Sequence, residues 1–323
     1  MGPNTKRFGR LAAMGLVVAA PLVIWTQRWN IYDTLRLRGY QPPAQIAQLA
    51  TDTSLNDGSR RLFYVYHPEL EQKQAFNDNC KSAEKTIVLG CYVSGRGIYL
   101  YSVTDERLNG VVQVTAAHET LHAAYERLDG REKQRVKGLI DDAYAKLTDQ
   151  RIKDTIEDYR QNGADITNEL HSILGTEVRS LPAELEQYYS RYFTNRLKIV
   201  EYSEKYEQAF TERKNRIADA DRQLEALKQQ INAGEASLGA LSQELKNERA
   251  RLDKLLASKD YAAYNAAVPG FNSRVNAYNA QVGQVRRLID QFNALVAERN
   301  SIAAEENDLY KAIDSRPDTL KTQ

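Results

Sequence analysis

The sequence holds a short set of residues able to bind a metal and move a proton, His118-Glu119-Thr120-Leu121-His122. Histidines at i and i+4 fall on one face of a helix, so both imidazoles can reach a single ion. Glu119, next to the first histidine, projects beside that ion and not onto it, where its carboxylate can take a proton from an activated water. Zn²⁺ suits such a site, because it lowers the pKa of a bound water to about 7. The flanking residues Thr115, Ala116, Ala117, Thr120, Leu121, Ala123 and Ala124 carry no charge. A buried helix requires that; a surface helix rarely shows it.

The segment resembles the active-site helix of the zinc metallopeptidases called zincins, over roughly residues 60–195. Zincins place an edge strand before this helix, and substrate pairs with it antiparallel; by position the resemblance gives that role to Ile98–Val103. The metzincin subgroup is excluded, because Tyr125 and Leu128 stand where its pattern needs Gly and His. The gluzincin subgroup takes its third ligand from a glutamate on a later helix, and Asn168-Glu169-Leu170-His171-Ser172 fits, although Ile173 stands where an acid often follows. The resemblance thus implies His118, His122 and Glu169 as metal ligands. Glu177, in Gly175-Thr176-Glu177, is the rival third ligand, and His171 is a further candidate. Gluzincins also stabilise the transition state with a Tyr or His; Tyr159, Tyr188, Tyr189 and His171 are all open for that role.

These residues need elements to position them. Residues 30–60 read as a connector with a short helix, broken by Pro42-Pro43, and Asn56-Asp57-Gly58 is a turn signal. Leu62–Tyr66 is rich in aromatic and β-branched residues and reads as a strand stopped by Pro68. Thr86–Val93 reads as a second strand, Ser94-Gly95-Arg96-Gly97 as a hairpin turn, and Ile98–Val103 as a third. His67, at a strand end before Pro68, reads as structural. From Glu106 to about Phe193 the pattern is helical, with breaks near Asp129-Gly130, Asn162-Gly163 and Pro182. A small sheet followed by helices is an α+β arrangement.

Beyond residue 197 the pattern changes. Ile217, Leu224, Ile231, Leu238, Leu245 and Leu252 recur at seven, with Ala220, Leu227, Leu241 and Leu255 three residues after members of that series. This is an a/d heptad pattern. Val268-Pro269-Gly270 reads as the break, and Val275, Tyr278, Val282, Val285, Ile289, Phe292 and Val296 form a second series. The expectation is a long antiparallel coiled-coil hairpin; the competing arrangement pairs each helix with another chain.

At the other end, Lys6, Arg7 and Arg10 precede an uncharged run from Leu11 to Gln27, with Trp25 and Trp29 at its far side. That pattern predicts a transmembrane anchor with the N-terminus in the cytoplasm and the rest of the chain outside. A cleaved signal peptide is the competing reading, against which no small-x-small site ends the run. Either places Cys80 and Cys91, the chain's 2 cysteines, in an oxidising compartment where they could pair as a disulfide; two free thiols are the alternative. Lys+Arg 44 against Asp+Glu 43 argues against a nucleic-acid partner. A hydrophobic content of 42% excludes wholesale disorder.

The expected division is a cytoplasmic stub and anchor over 1–29, a zincin-like metallopeptidase domain over 30–196, a coiled-coil arm over 197–315 and a disordered tail over 316–323. The expected function is a membrane-anchored extracytoplasmic zinc metallopeptidase acting on a protein or peptide, with Glu119 as general base. The arm would engage a protein partner or a second copy. The alternative is a membrane-tethered coiled-coil adaptor with a structural or degenerate zinc site. Glu119 separates the two, because a purely structural site has no use for an uncoordinated carboxylate beside the metal.

Overall fold

The computed structural model describes residues 26–80 and 87–317. The expected anchor lies outside the described residues except for its last positions, Thr26 and Gln27, and so do residues 318–323 of the expected tail. Among the described residues, no helix is long and apolar enough to cross a membrane. The protein is mostly helical with one small three-stranded sheet. It divides into two compact units: the chain up to Gln208 together with the segment from Lys311 onward, and Ala209–Tyr310.

The first unit begins with helix α1 over residues 26–37, followed after Pro42-Pro43 by α2 (Ala44–Asp52) and α3 (Asp57–Val65). Asp33 of α1 makes a two-pronged ion pair with Arg127 at 2.7 and 3.0 Å, and the guanidinium sits 4.7 Å from the Trp29 ring centre. Helix α3 occupies the segment expected as a strand. Asn56 accepts the Ser59 N–H at 3.0 Å and starts a helix, which buries Leu62, Phe63 and Val65. Capping and burial outweigh the β-type composition of Leu62–Tyr66. The strand forms only beyond Pro68, as β1 (Glu69–Glu71), and α4 (Lys73–Asn79) follows it.

Strand β2 (Gly90–Val93) and strand β3 (Gly97–Tyr101) make the expected hairpin around Ser94–Arg96. Residues 87–89 are not strand, and Thr86 lies outside the described residues. The sheet order is β1-β3-β2, with β1 parallel and β2 antiparallel to β3. Strand β3 is therefore central, not the expected edge. Ile98 and Leu100 enter the main core, while Tyr99 packs on the opposite face with Phe76 and Cys80. The edge beside the helices is β2.

Helices α5 (Val111–Glu126), α6 (Gly130–Ala145), α7 (Gln150–Gln161), α8 (Ile166–Glu177) and α9 (Ala183–Tyr189) complete the unit. The expected breaks are where side-chain caps fall: Asp129 caps α6, and Pro182 precedes α9. His67 is structural, stacked on Tyr40 at 4.3 Å and donating from Nε2 to the Arg36 carbonyl at 2.7 Å.

Helices α10 (Arg196–Ala257) and α11 (Tyr261–Ile313) are long. Within the second unit they lie side by side and antiparallel, joined laterally by Arg213–Glu305, Asp221–Arg299 and Glu248–Arg274 ion pairs. The chain does not reverse at Pro269-Gly270. It reverses at Ser258–Asp260, where Lys259 adopts φ 61° and Asp260 accepts the Ala263 N–H at 3.1 Å. Pro269 sits inside α11 on an exposed face, where water can take up the carbonyl its ring leaves unbonded.

Candidate metal centre

Helix α5 carries the two histidines and the intervening glutamate on its C-terminal half. Its other faces are filled by Val114, Ala116, Ala117, Leu121, Ala123 and Ala124, all buried. The small side chains let α8 lie against it. Asp165 starts α8 by accepting the N–H groups of Thr167 and Asn168, each at 3.2 Å, which places Asn168 and Glu169 in its first turn. At Gly175, a Cβ would stand 2.5 Å from Leu121 Cδ1, so α8 is as close to α5 as a backbone can come. Gly175 does not break the helix.

The packing brings three predicted residues together. Glu169 Oε2 lies 3.7 Å from His118 Nε2 and 3.6 Å from His122 Nε2, and one donor atom from each residue falls within 4.8 Å of the others. In a tetrahedral zinc site with bonds of about 2.0–2.1 Å, neighbouring donors stand about 3.3 Å apart. The three side chains need only small movements to meet that geometry. Two imidazoles and one carboxylate suit zinc and leave one position of the tetrahedron for water or substrate. A buried acceptor also fits: Asn168 Oδ1 is buried beside His122, placed to accept from that imidazole. A metal-bound histidine needs such an acceptor for its second ring nitrogen.

Glu177 is not part of this group. Its carboxylate pairs with Arg151 of α7 at 2.8 Å, and Arg151 also reaches Glu207 at 3.3 Å. Eight residues along a helix advance about 12 Å and end roughly 80° further round, which takes Glu177 away from the histidines. His171 is likewise elsewhere. It is buried, its Nε2 lies 2.8 Å from the Tyr188 hydroxyl, and its carbonyl accepts from the Tyr189 hydroxyl at 2.7 Å. Of the four candidates for transition-state stabilisation, Tyr159 lines the cavity over the histidines; His171, Tyr188 and Tyr189 belong to the core.

Electrostatics separate the roles. Burial pulls the His122 imidazole down to about 4, helped by His118 beside it, so the ring is neutral and its lone pair free. Burial also acts to lower His118, but Glu169 and Glu119 outweigh it and the ring ends above its ordinary value. Glu169 is held below the usual carboxylate range by the two histidines, against its burial. Glu119 goes the other way: burial pushes it up to about 7, only partly offset by His118 and by the backbone N–H of Tyr92. A carboxyl near neutrality can both accept and return a proton.

The cavity measures about 370 Å³ and is walled on one side by β2. Leu89 accepts from the Tyr101 N–H at 2.8 Å, so in this antiparallel register Cys91 and Val93 bond to β3. Gly90 and Tyr92 then direct their backbone groups to the free edge. The sequence reading missed this wall. Its signal was Gly90 within a β-rich run, since a glycine in a strand marks a close backbone approach. A Cβ at Gly90 would meet Thr115 Cγ2 at 2.4 Å and Glu119 Oε1 at 3.0 Å. Cys80 and Cys91, on the same rim, form the disulfide that the sequence left open.

No family model, curated protein or solved structure matches this chain.

Proposed function

We propose that the chain is a zinc-dependent peptidase of zincin-like, gluzincin-type architecture, with His118, His122 and Glu169 as ligands and Glu119 as general base. The observation that carries the reading is the gathering of those three donors, with Glu119 lining the same cavity but outside their group. Bound zinc would supply a Lewis acid that polarises a carbonyl and lowers the pKa of a water. Glu119 accepts the proton of the attacking water and hands it to the leaving amine. Tyr159, which lines the same cavity, donates a hydrogen bond to the oxygen on which charge develops. The free edge of β2 offers the Gly90 backbone and the Tyr92 carbonyl to an extended peptide, the Tyr92 N–H being taken by Glu119; this is the role first assigned to Ile98–Val103.

The Cys80–Cys91 disulfide supports an oxidising, extracytoplasmic compartment. The apolar run at Leu11–Gln27 supports membrane attachment. The antiparallel helices of residues 209–310 support a coiled-coil arm for a protein partner or a second copy. That arm is also what favours the adaptor reading, in which the metal site is structural.

One experiment separates the two. The purified chain is loaded with Zn²⁺ and offered a mixed-sequence pool of quenched fluorescent peptides, alongside Glu119→Gln and Tyr159→Phe variants. The peptidase reading expects cleavage by the parent chain, loss of about two orders of magnitude or more in Glu119→Gln, and full zinc content in both variants. Zinc bound tightly with no cleavage by the parent chain would move the protein to the adaptor reading.

A further inference from the structure

Strand β2 does more than wall the cavity: it holds Glu119. Gly90 lies against the Glu119 side chain with no room for a Cβ, and the Tyr92 backbone N–H donates to its carboxylate. Yet β2 is only four residues long and bonded to the sheet along one side. Such an edge is held weakly by its own backbone.

Its turn end is tied to α5 itself, where Glu126 accepts from the Tyr92 and Ser94 hydroxyls; two further ties, at its other end, run to α4. Cys91 is bonded to Cys80, the residue that ends α4. Ser315, past the end of α11 and within the first unit, donates from Oγ to the Val88 carbonyl at 2.5 Å. The Ser315 carbonyl in turn accepts from Asn77 Nδ2 of α4 at 2.7 Å. Ser315 is almost fully buried, 3% exposed, so the clasp is shielded from competing water. Helix α4 is itself anchored by Phe76, packed on Tyr101 with ring centres 5.7 Å apart. None of these contacts includes His118, His122 or Glu169, whose positions come from the packing of α5 on α8.

We propose that the Cys80–Cys91 disulfide and the Ser315 clasp act together as positioning elements for the general base, so that a dithiol reductant switches the reaction off while the metal site stays intact. The inference rests on the peptidase reading for what is switched off. Cys80 and Cys91 both line the cavity, which gives a small reagent a path to the bond. A thiolate of the reductant attacks one sulfur and displaces the other cysteine as a thiolate. The second thiol of the reagent then displaces the first cysteine. Two electrons pass to the protein, which ends with two thiols, and the reagent leaves as its own disulfide. With the bond open, the segment keeps the clasp, the Glu126 bonds at its turn end and the β3 ladder, but loses its covalent tie at Cys91, between Gly90 and Tyr92, and the contact with Glu119 loosens.

The test uses the full chain, treated with a dithiol, desalted without air because the reagent itself binds zinc, reloaded with Zn²⁺, and followed by thiol counting, zinc content, cleavage of the mixed peptide pool, and amide hydrogen exchange. The expected result is two thiols, about one zinc per chain, and cleavage lowered by roughly tenfold or more. Exchange should be faster over residues 90–93 but unchanged over 112–126, and reoxidation should restore all readouts. Ser315→Ala should shift cleavage and exchange the same way by less, and Ser315→Thr, which keeps the hydroxyl, should recover them. Unchanged cleavage with both thiols titrated would overturn the proposal. So would zinc leaving with the disulfide, since the bond would then be a staple for the whole site. A parent chain that binds no zinc or cuts no peptide defeats the peptidase reading instead. In that case exchange at 90–93 decides alone: faster after reduction supports the positioning role, and unchanged overturns it.

Discussion

Gly175 of α8 meets Leu121 of α5 so closely that a Cβ on the glycine would lie 2.5 Å from Leu121 Cδ1 and 2.8 Å from the Tyr189 ring. That contact sets the spacing of the two helices that bring Glu169 to the histidines. Tyr189 cannot yield easily, because it is fully buried with its hydroxyl bonded to the His171 carbonyl.

Gly175→Ala is therefore expected to destabilise the fold. Alanine gains about 1 kcal/mol of helix propensity over glycine. Overpacking at a fixed contact costs about 1–3 kcal/mol, and the clash should win. The same shift moves Glu169 away from His118 and His122, so zinc affinity should fall. Urea unfolding of the metal-free chain and a zinc titration read the two effects. A variant as stable as the parent, with equal zinc affinity, would remove Gly175 from the account.

The second expectation concerns the third ligand. Glu169→Gln should weaken zinc binding strongly, because the lost charge faces both imidazoles at under 4 Å. Glu177→Gln should leave zinc binding intact and cost only about 1 kcal/mol of stability, since Arg151 is partly in solvent and keeps Glu207. Equilibrium dialysis with Zn²⁺ on both variants gives the ranking. The reverse ranking would return the ligand role to Glu177.

The sequence made the two imidazoles and Glu119 legible because their spacing is local to one helix. Glu169 was readable through its likeness to a known pattern, and the preference over Glu177 needed the angle around α8. The sheet was harder. Leu62–Tyr66 has the composition of a strand, but a cap at Asn56 and four buried side chains made its segment a helix. The true first strand, β1, is three residues of mixed polarity and carries no signal. Because β1 covers one side of β3, the strand nearest the metal-site helix in sequence became the central one. Strand order is a tertiary property that the alternation of residues within one strand does not encode. The Pro-Gly pair in the arm misled for a different reason: a turn signal on an exposed face can be absorbed by a long helix whose neighbours hold it straight.

Asn168→Ala should weaken zinc binding by about 10–100-fold while leaving the fold in place. The buried Oδ1 lies beside His122 as an acceptor, and a metal-bound imidazole presents an N–H that needs one. Asn168→Asp keeps an acceptor and should retain most of the affinity. Competition against a coloured zinc chelator measures both. An alanine variant with unaltered affinity would leave the Asn168 oxygen without a role.

The arm offers a stabilising substitution. Pro269 is the ninth residue of α11, well past the first turn where a missing N–H would be harmless. A proline in a helix interior is unfavourable by about 3 kcal/mol relative to alanine. Part of that is offset, because proline also restricts the unfolded chain, worth about 0.4–1 kcal/mol. The residue is exposed, as is Gly270 beside it. Pro269→Ala should therefore stabilise the antiparallel pair by about 2 kcal/mol. Thermal unfolding of the full chain, followed by the helical signal, should show a higher midpoint for the transition that carries most of the helicity, with zinc content unchanged. If the midpoint falls instead, the proline is setting a bend that the packing of α10 on α11 depends on, and the exposed face is not the neutral position its surroundings indicate.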